Sequence, residues 1–127
     1  MKFMTLVKSA ESSGPPPQAL MDGMAKLAED AFKSGLMVEM GGLVSSAAGT
    51  RVRLSNGKLT VTDGPFAEAK EVIGGYAILQ VKSKQEAIEA TRRFMELHGK
   101  HWPGWEGETE VRQIFDSPDL PPGAAQP

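Results

Sequence analysis

A chain of 127 residues and 13.6 kDa is one ordinary domain, and its net charge of −2 (14 basic against 16 acidic residues) lacks the positive excess of a nucleic-acid binder. The absence of cysteine removes disulfides, thiol catalysis, zinc–thiolate centres and iron–sulfur clusters together. No stretch approaches the roughly 18 apolar residues that cross a bilayer, and the apolar run at the N-terminus is too short for an export signal. A cytoplasmic protein is expected, with no cofactor and with neither a membrane nor direct nucleic-acid contact among its partners.

Residues 2–9 read as a strand, with Phe3, Thr5 and Val7 on one face and Met4 and Leu6 on the other. Apolar residues on both faces mark a central strand. Ser12-Ser13-Gly14-Pro15-Pro16-Pro17 is a loop that sets proline just ahead of a helix, where its missing N–H does no harm. From 18 to 34 the period becomes helical, with Leu20, Met24, Leu27 and Ala31 as the inner stripe and Gly35 as the stop. A second strand is expected over 36–44, with Gly41-Gly42 marking a bulge or bend. Strands at 50–54 and 58–62 flank Asn56-Gly57, whose backbone suits a type I′ hairpin.

Asp63-Gly64-Pro65-Phe66 ends the hairpin; 67–71 is expected as a helical turn and 72–81 as a strand interrupted by Gly74-Gly75. Ser83 and Glu86 form a capping box for a second helix. Its inner stripe is Ala87, Ile88, Thr91, Phe94 and Met95, with Glu89 and Arg93 as an exposed pair, and it stops near His98-Gly99. A loop at 101–107 and a last strand at 109–115 complete a domain expected over 1–116. A Pro-rich tail follows at 117–127.

The order β-α-β-hairpin-β-α-β predicts an α+β, ferredoxin-like fold: an antiparallel sheet with two helices on one face. The other face is read as a bare layer of Leu, Val, Ile and Phe. Such a surface is too large to leave in water, so a second copy of the chain is expected to cover it, giving a homodimer.

The stretch Val61-Thr62-Asp63-Gly64-Pro65-Phe66-Ala67-Glu68-Ala69-Lys70-Glu71, running on to Gly74-Gly75-Tyr76, resembles the signature of the YCII-related family in its DGPF (DGPFAETKE-type) branch. Ala69 stands where many members have Thr. The likeness extends from the first strand to Phe115, and 101–108 is similar to a loop of one subgroup. The resemblance implies a dimeric α/β barrel in which two sheets pack face to face. The wider family includes members with a proposed His–Asp pair, the His lying early in the first helix. Residues 18–24 hold no His, so that pair does not transfer.

Asp63 has two readings: a carboxylate accepting from the N–H groups that follow it, an Asx-type turn, or a base at a pocket mouth with Lys70 and Glu71 adding charge. His98 and His101 could share a metal only with a third ligand such as Glu106 or Glu108. Gly99 is expected to end the helix between them, so no metal centre is expected. His98 keeps register with Ala87, Thr91 and Phe94, as a histidine closing the core or as an acid–base group. Trp102 and Trp105 flank Pro103-Gly104, as a pocket wall or as packing on the sheet edge. Arg51 and Arg53 read as a solvated hairpin edge.

The sequence thus leads to a small-molecule ligand held in a pocket of a homodimer. Asp63 and His98 are the acid–base candidates, and Lys70, Glu71, His101 and Trp102 the binding candidates. The alternative is a non-catalytic regulatory or protein-interaction module. Members of the branch are often encoded beside alternative sigma factors, which by resemblance implies transcriptional control through a protein partner.

Overall fold

The computed structural model describes residues 1–115, with Ser12 described by its backbone alone; the tail expected at 117–127 lies outside the described residues. Strand β1 (Lys2–Ser9) pairs antiparallel with β5 (Val72–Gln80) on one side and β6 (Gly107–Ile114) on the other. Strand β2 (Met37–Gly42) adds outside β5, so the sheet runs β2-β5-β1-β6. A hairpin of β3 (Thr50–Ser55) and β4 (Lys58–Asp63) forms a separate two-stranded sheet. With that hairpin set aside, the strand order is the ferredoxin-like one. The sheet is open, with β2 and β6 as its edges.

Alternation decides what each face of the sheet carries. Phe3 lies opposite Leu79 and Gln113, so the odd-numbered residues of β1 share a face with Leu79 and Val111. Helices α1 (Gln18–Lys33) and α2 (Lys84–His101) cover that face. Ala28 and Ala31 of α1 and Ala87 and Ala90 of α2 pack on Phe3, Met37, Leu79 and Val81. Small residues on the helices let them approach the sheet closely.

The other face departs from expectation. Phe3, Val7 and Val111 turn toward the helices, leaving Met4, Leu6, Tyr76, Ile78 and Ile114 half-buried at its centre. Charged groups flank them. Lys8 Nζ donates to Glu110 at 2.6 Å, Arg112 donates to Glu110 at 2.9 Å, and the Tyr76 hydroxyl donates to Glu39 at 3.2 Å. The Lys8 ammonium, then Arg112, holds the Glu110 carboxyl below its usual range, and Glu39 pushes the Tyr76 hydroxyl up. This surface is a narrow apolar stripe between charges, not a continuous greasy layer.

Local differences have local causes. Strand β2 is shorter than 36–44, and its irregularity falls between Met37 and Glu39 rather than at Gly41-Gly42. Strand β5 runs through its glycines, with Gly74 as the extra residue where the register on β1 shifts between Val7 and Lys8. Residues 67–71 make one turn, closed by the Ala69 N–H on the Phe66 carbonyl at 3.0 Å, and no helix. Two short 3-10 turns, Glu11–Ser13 and Ser46–Ala48, occupy stretches without a helical pattern.

The expected stops and turns at Gly35 (φ +79°), Asn56 (φ +52°) and Gly57 (φ +76°) are present. Ser83 caps α2 by accepting from the Glu86 N–H at 3.2 Å, without the return bond from the Glu86 carboxylate among the described residues. Glu89 pairs with Arg92 at 3.6 Å instead of Arg93. Helix α2 continues through Gly99 to His101, three residues past the expected stop at His98.

Phe3, 1% exposed, is the largest side chain in the core cluster. Replacing it with Ala should cost about 3–5 kcal/mol of unfolding free energy, measured by urea denaturation, because neighbouring alanines cannot refill the space.

Candidate functional site

The Asp63–Phe66 segment acts first as a joint. Gly64 lies so close to the Ser46–Ala48 turn that a Cβ on it would come within 1.6 Å of the Ser46 carbonyl oxygen. Its N–H donates to the Gly49 carbonyl at 2.8 Å. Two residues on, the Phe66 N–H donates to Ser46 Oγ at 3.1 Å, and Ser46 in turn donates from its hydroxyl and, at 2.7 Å, its N–H to the Glu11 carboxylate. The Arg51 guanidinium stacks 3.8 Å from the Phe66 ring centroid and pairs with Glu68. Glu11, Ser46 and Phe66 thereby tie both ends of the hairpin to the segment after β1.

Asp63 belongs to this joint. It is exposed at the end of β4 and accepts from Thr50 Oγ1 at 2.9 Å across the hairpin. It does not line the cleft described below. The contact is a cross-strand one to a hydroxyl and not a bond from the N–H groups that follow Asp63 in the turn.

The Glu11 carboxyl is held below its ordinary value of 4.5 by the Ser46 hydroxyl and then the Ser46 N–H. Such a group stabilises the fold fully only above the unfolded value, and that contribution is lost as pH falls through the lower folded one.

A broad cleft of about 1210 Å³ opens between the helix layer and the sheet. Thr5 and Val7 of β1 floor it, Met24 and Ala28 of α1 and Phe94 of α2 wall it, and Ser46, Arg51 and Phe66 of the joint form part of its rim. Its surface is chiefly apolar. Ligand pockets have typical volumes of roughly 300–1,000 Å³, so this trough is of a size that would admit a small organic molecule.

One end of the trough is aromatic. His98, 5% exposed, stands 4.6 Å from Phe94 and 4.5 Å from Trp105, ring centroid to centroid, and Trp102 stacks on Trp105 at 5.8 Å. The extension of α2 past Gly99 brings Trp102 to this place. Gly107 lets Trp105 fold back, since a Cβ there would lie 2.5 Å from the indole.

His98 Nδ1 is 3.0 Å from the Phe94 carbonyl oxygen. A carbonyl only accepts, so Nδ1 carries the hydrogen of this contact, and in the tautomer that this fixes Nε2 is the acceptor. Nε2 has no partner among the described residues, yet no buried side-chain nitrogen or oxygen there lacks one. Nε2 therefore keeps some accessible surface, and His98 is among the residues that line the trough.

Of the residues singled out from sequence, His98, Trp102 and Glu71 line the trough, whereas Asp63, Lys70 and His101 do not. His101 is half-buried beside Gly23 of α1, its Cδ2 3.9 Å from where a Cβ on that glycine would sit. Both histidines lie on α2, contrary to the expected helix end, but no third His, Asp or Glu joins them among the described residues. Sequence reasoning passed over Glu11 and Ser46, whose pairing spans 35 positions, and left Arg93 at the trough wall unremarked as a site group.

The model of the YCII-related domain matches residues 1–97. The chain belongs to the YCII-related family. An uncharacterised protein of Rhizobium meliloti (strain 1021) is similar to it, 29% identical over 75 residues, which is 59% of this chain and 60% of that protein. The YCII-related match takes in the joint, both walls of the trough and Phe94, and it ends one residue before His98. The aromatic end and β6 lie beyond it, although β6 pairs with β1 along its whole length.

Three outcomes follow from the joint. Glu11→Gln should lower stability at neutral pH, and the difference from the natural chain should shrink below about pH 4.5 in parallel urea denaturations. Gly64→Ala should cost at least about 1–3 kcal/mol, because the methyl group meets backbone that must move. Asp63→Ala, which loses one exposed hydrogen bond, should cost less than about 1 kcal/mol in the same assay.

Proposed function

We propose that this protein binds a small, mainly apolar molecule with one polar end in the trough, as a homodimer of the α/β-barrel type, with His98 as the acid–base group. The observation that carries the reading is the buried imidazole at the aromatic end of a large apolar trough. Its Nδ1 is fixed on the Phe94 carbonyl, and its Nε2 has no partner among the described residues. A polar group on a ligand would meet one oriented acceptor there, while Trp102 and Trp105 would stack on its apolar part. Glu71 and Arg93 at the trough lining supply charge of both signs for orientation.

The paired assembly draws support from the sheet's open face, where Met4, Leu6, Tyr76, Ile78 and Ile114 form an apolar strip rimmed by Lys8, Glu110 and Arg112. Two such strips facing each other would exclude water while their charged rims stay wet. The sequence Asp63-Gly64-Pro65-Phe66, with its tight fit on Ser46, supports placement in the DGPF branch.

Trp102 and Trp105 are the chain's two tryptophans, so tryptophan emission, excited to the red of Tyr76 absorption, reports on this site alone. Medium-chain carboxylic acids and alcohols and indole-sized aromatics are suitable probes. A binding class should quench or shift the emission saturably and raise the melting temperature. A ligand at ~100 times its Kd adds about 2.7 kcal/mol. His98→Ala should weaken polar-ended probes about tenfold, the equivalent of one hydrogen bond of roughly 1.4 kcal/mol. Ala25→Phe, at an exposed position on the trough wall, should weaken all classes by filling space. No response from any probe, or identical affinities in both variants, would sink the reading.

A further inference from the structure

Nine of the thirteen large apolar side chains that stand exposed among the described residues lie between positions 38 and 73. Four of them are the inner pairs of the hairpin. Val52 lies opposite Val61 and Leu54 opposite Leu59, so all four project from one face, and they are 68–71% exposed. The other face carries Arg51, Arg53 and Lys58 with Thr60 and Thr62. An isolated two-stranded sheet is marginal in water, and one with a largely exposed apolar face lacks the layer that would hold it.

We propose that the β3–β4 hairpin is an arm that seats on a second copy of this chain, its Val52/Leu54/Leu59/Val61 face closing the mouth of the second copy's trough. That mouth is itself apolar and exposed, with Met21, Met40, Leu43, Val44 and Ile73 along it. One chain thus carries both halves of an apolar contact, an unfilled trough and an uncovered hairpin. It cannot join them internally. The joint anchors the hairpin at the trough's own rim through Gly49, Arg51 and Phe66, and none of the four apolar side chains lines that trough.

The area fits a second copy. Nine large side chains exposed by between 42% and 82% offer apolar surface on the order of the roughly 800 Å² per partner that a stable pair buries. Reciprocal exchange of two arms about a twofold axis closes both troughs and leaves no open end for further addition. The trough proposed above as a ligand site then takes part of its wall from the partner, so this inference deepens that reading.

The chain has no cysteine, so single introduced thiols report positions without background. Leu59→Cys and Leu43→Cys chains, mixed and oxidised mildly, should form a mixed disulfide between copies. A link between two Leu59→Cys chains instead would place hairpin on hairpin and overturn the proposal. In sedimentation velocity the full chain should run as a dimer at micromolar concentration, and Leu54→Glu with Leu59→Glu should raise its dissociation constant at least tenfold with an unchanged circular dichroism spectrum. The milder pair Val52→Thr with Val61→Thr should move it in the same direction.

A dimer indifferent to both hairpin pairs but lost with Leu6→Glu would overturn the arm and leave the face-to-face barrel standing. A monomer, or a monomer whose hairpin binds anionic phosphatidylserine vesicles, overturns the arm, and probe-induced changes in tryptophan emission would still decide the ligand site separately.

Discussion

Everything in this molecule is organised around a central strand with two antiparallel neighbours. Because β1 is hydrogen-bonded on both edges, its alternation is imposed on β5 and β6 alike, and a slip of one residue would exchange the two faces of the sheet. Phe3 then faces the helices and Leu6 faces away. The helix side receives Leu79 and Val111, and the opposite side receives Ile78 and Ile114 among charges. The trough and the half-buried apolar strip are two results of one register.

The second organising element is the joint. The hairpin is an insertion between β2 and β5, and among the described residues no strand of the four-stranded sheet pairs with it. Its position comes from a short chain of contacts in which Gly64 makes room for the Ser46 backbone and Ser46 links Phe66 to Glu11. Those contacts are mostly polar and solvent-facing, so they set direction more than they add stability. The apolar face of the hairpin pairs Val52 with Val61 and Leu54 with Leu59 across the two strands but lies outside the chain's core cluster.

The elements were largely legible in the sequence because each carries a local signal. The helical period of 18–34, the Asn56-Gly57 turn and the Ser83 cap depend on neighbours within a few residues, and the structure agrees with them closely. Helix α2 ran past its expected end because Gly99 in a helix costs only about 1 kcal/mol relative to Ala. The packing of His98, Trp102 and Trp105 outweighs that. The open face was misjudged where composition stood in for register: the chain's Phe and Val residues are real, but alternation sends Phe3, Val7 and Val111 inward. In the site, His98, Glu71 and Trp102 could be picked out by residue type. Ser46 and Glu11 could not, since a serine and a glutamate 35 positions apart leave no mark until the backbone brings them together.

The stacking of Trp102 on Trp105 has an optical side. Two indoles with centroids 5.8 Å apart and planes inclined by 23° are close enough for their electronic transitions to couple. Coupled transitions add an exciton couplet to the ultraviolet dichroism, overlapping the signal of the peptide backbone. Removing either indole would abolish that couplet and mimic a change in helical content while α2 stayed whole, so the two effects are to be separated by amide hydrogen exchange rather than by dichroism alone.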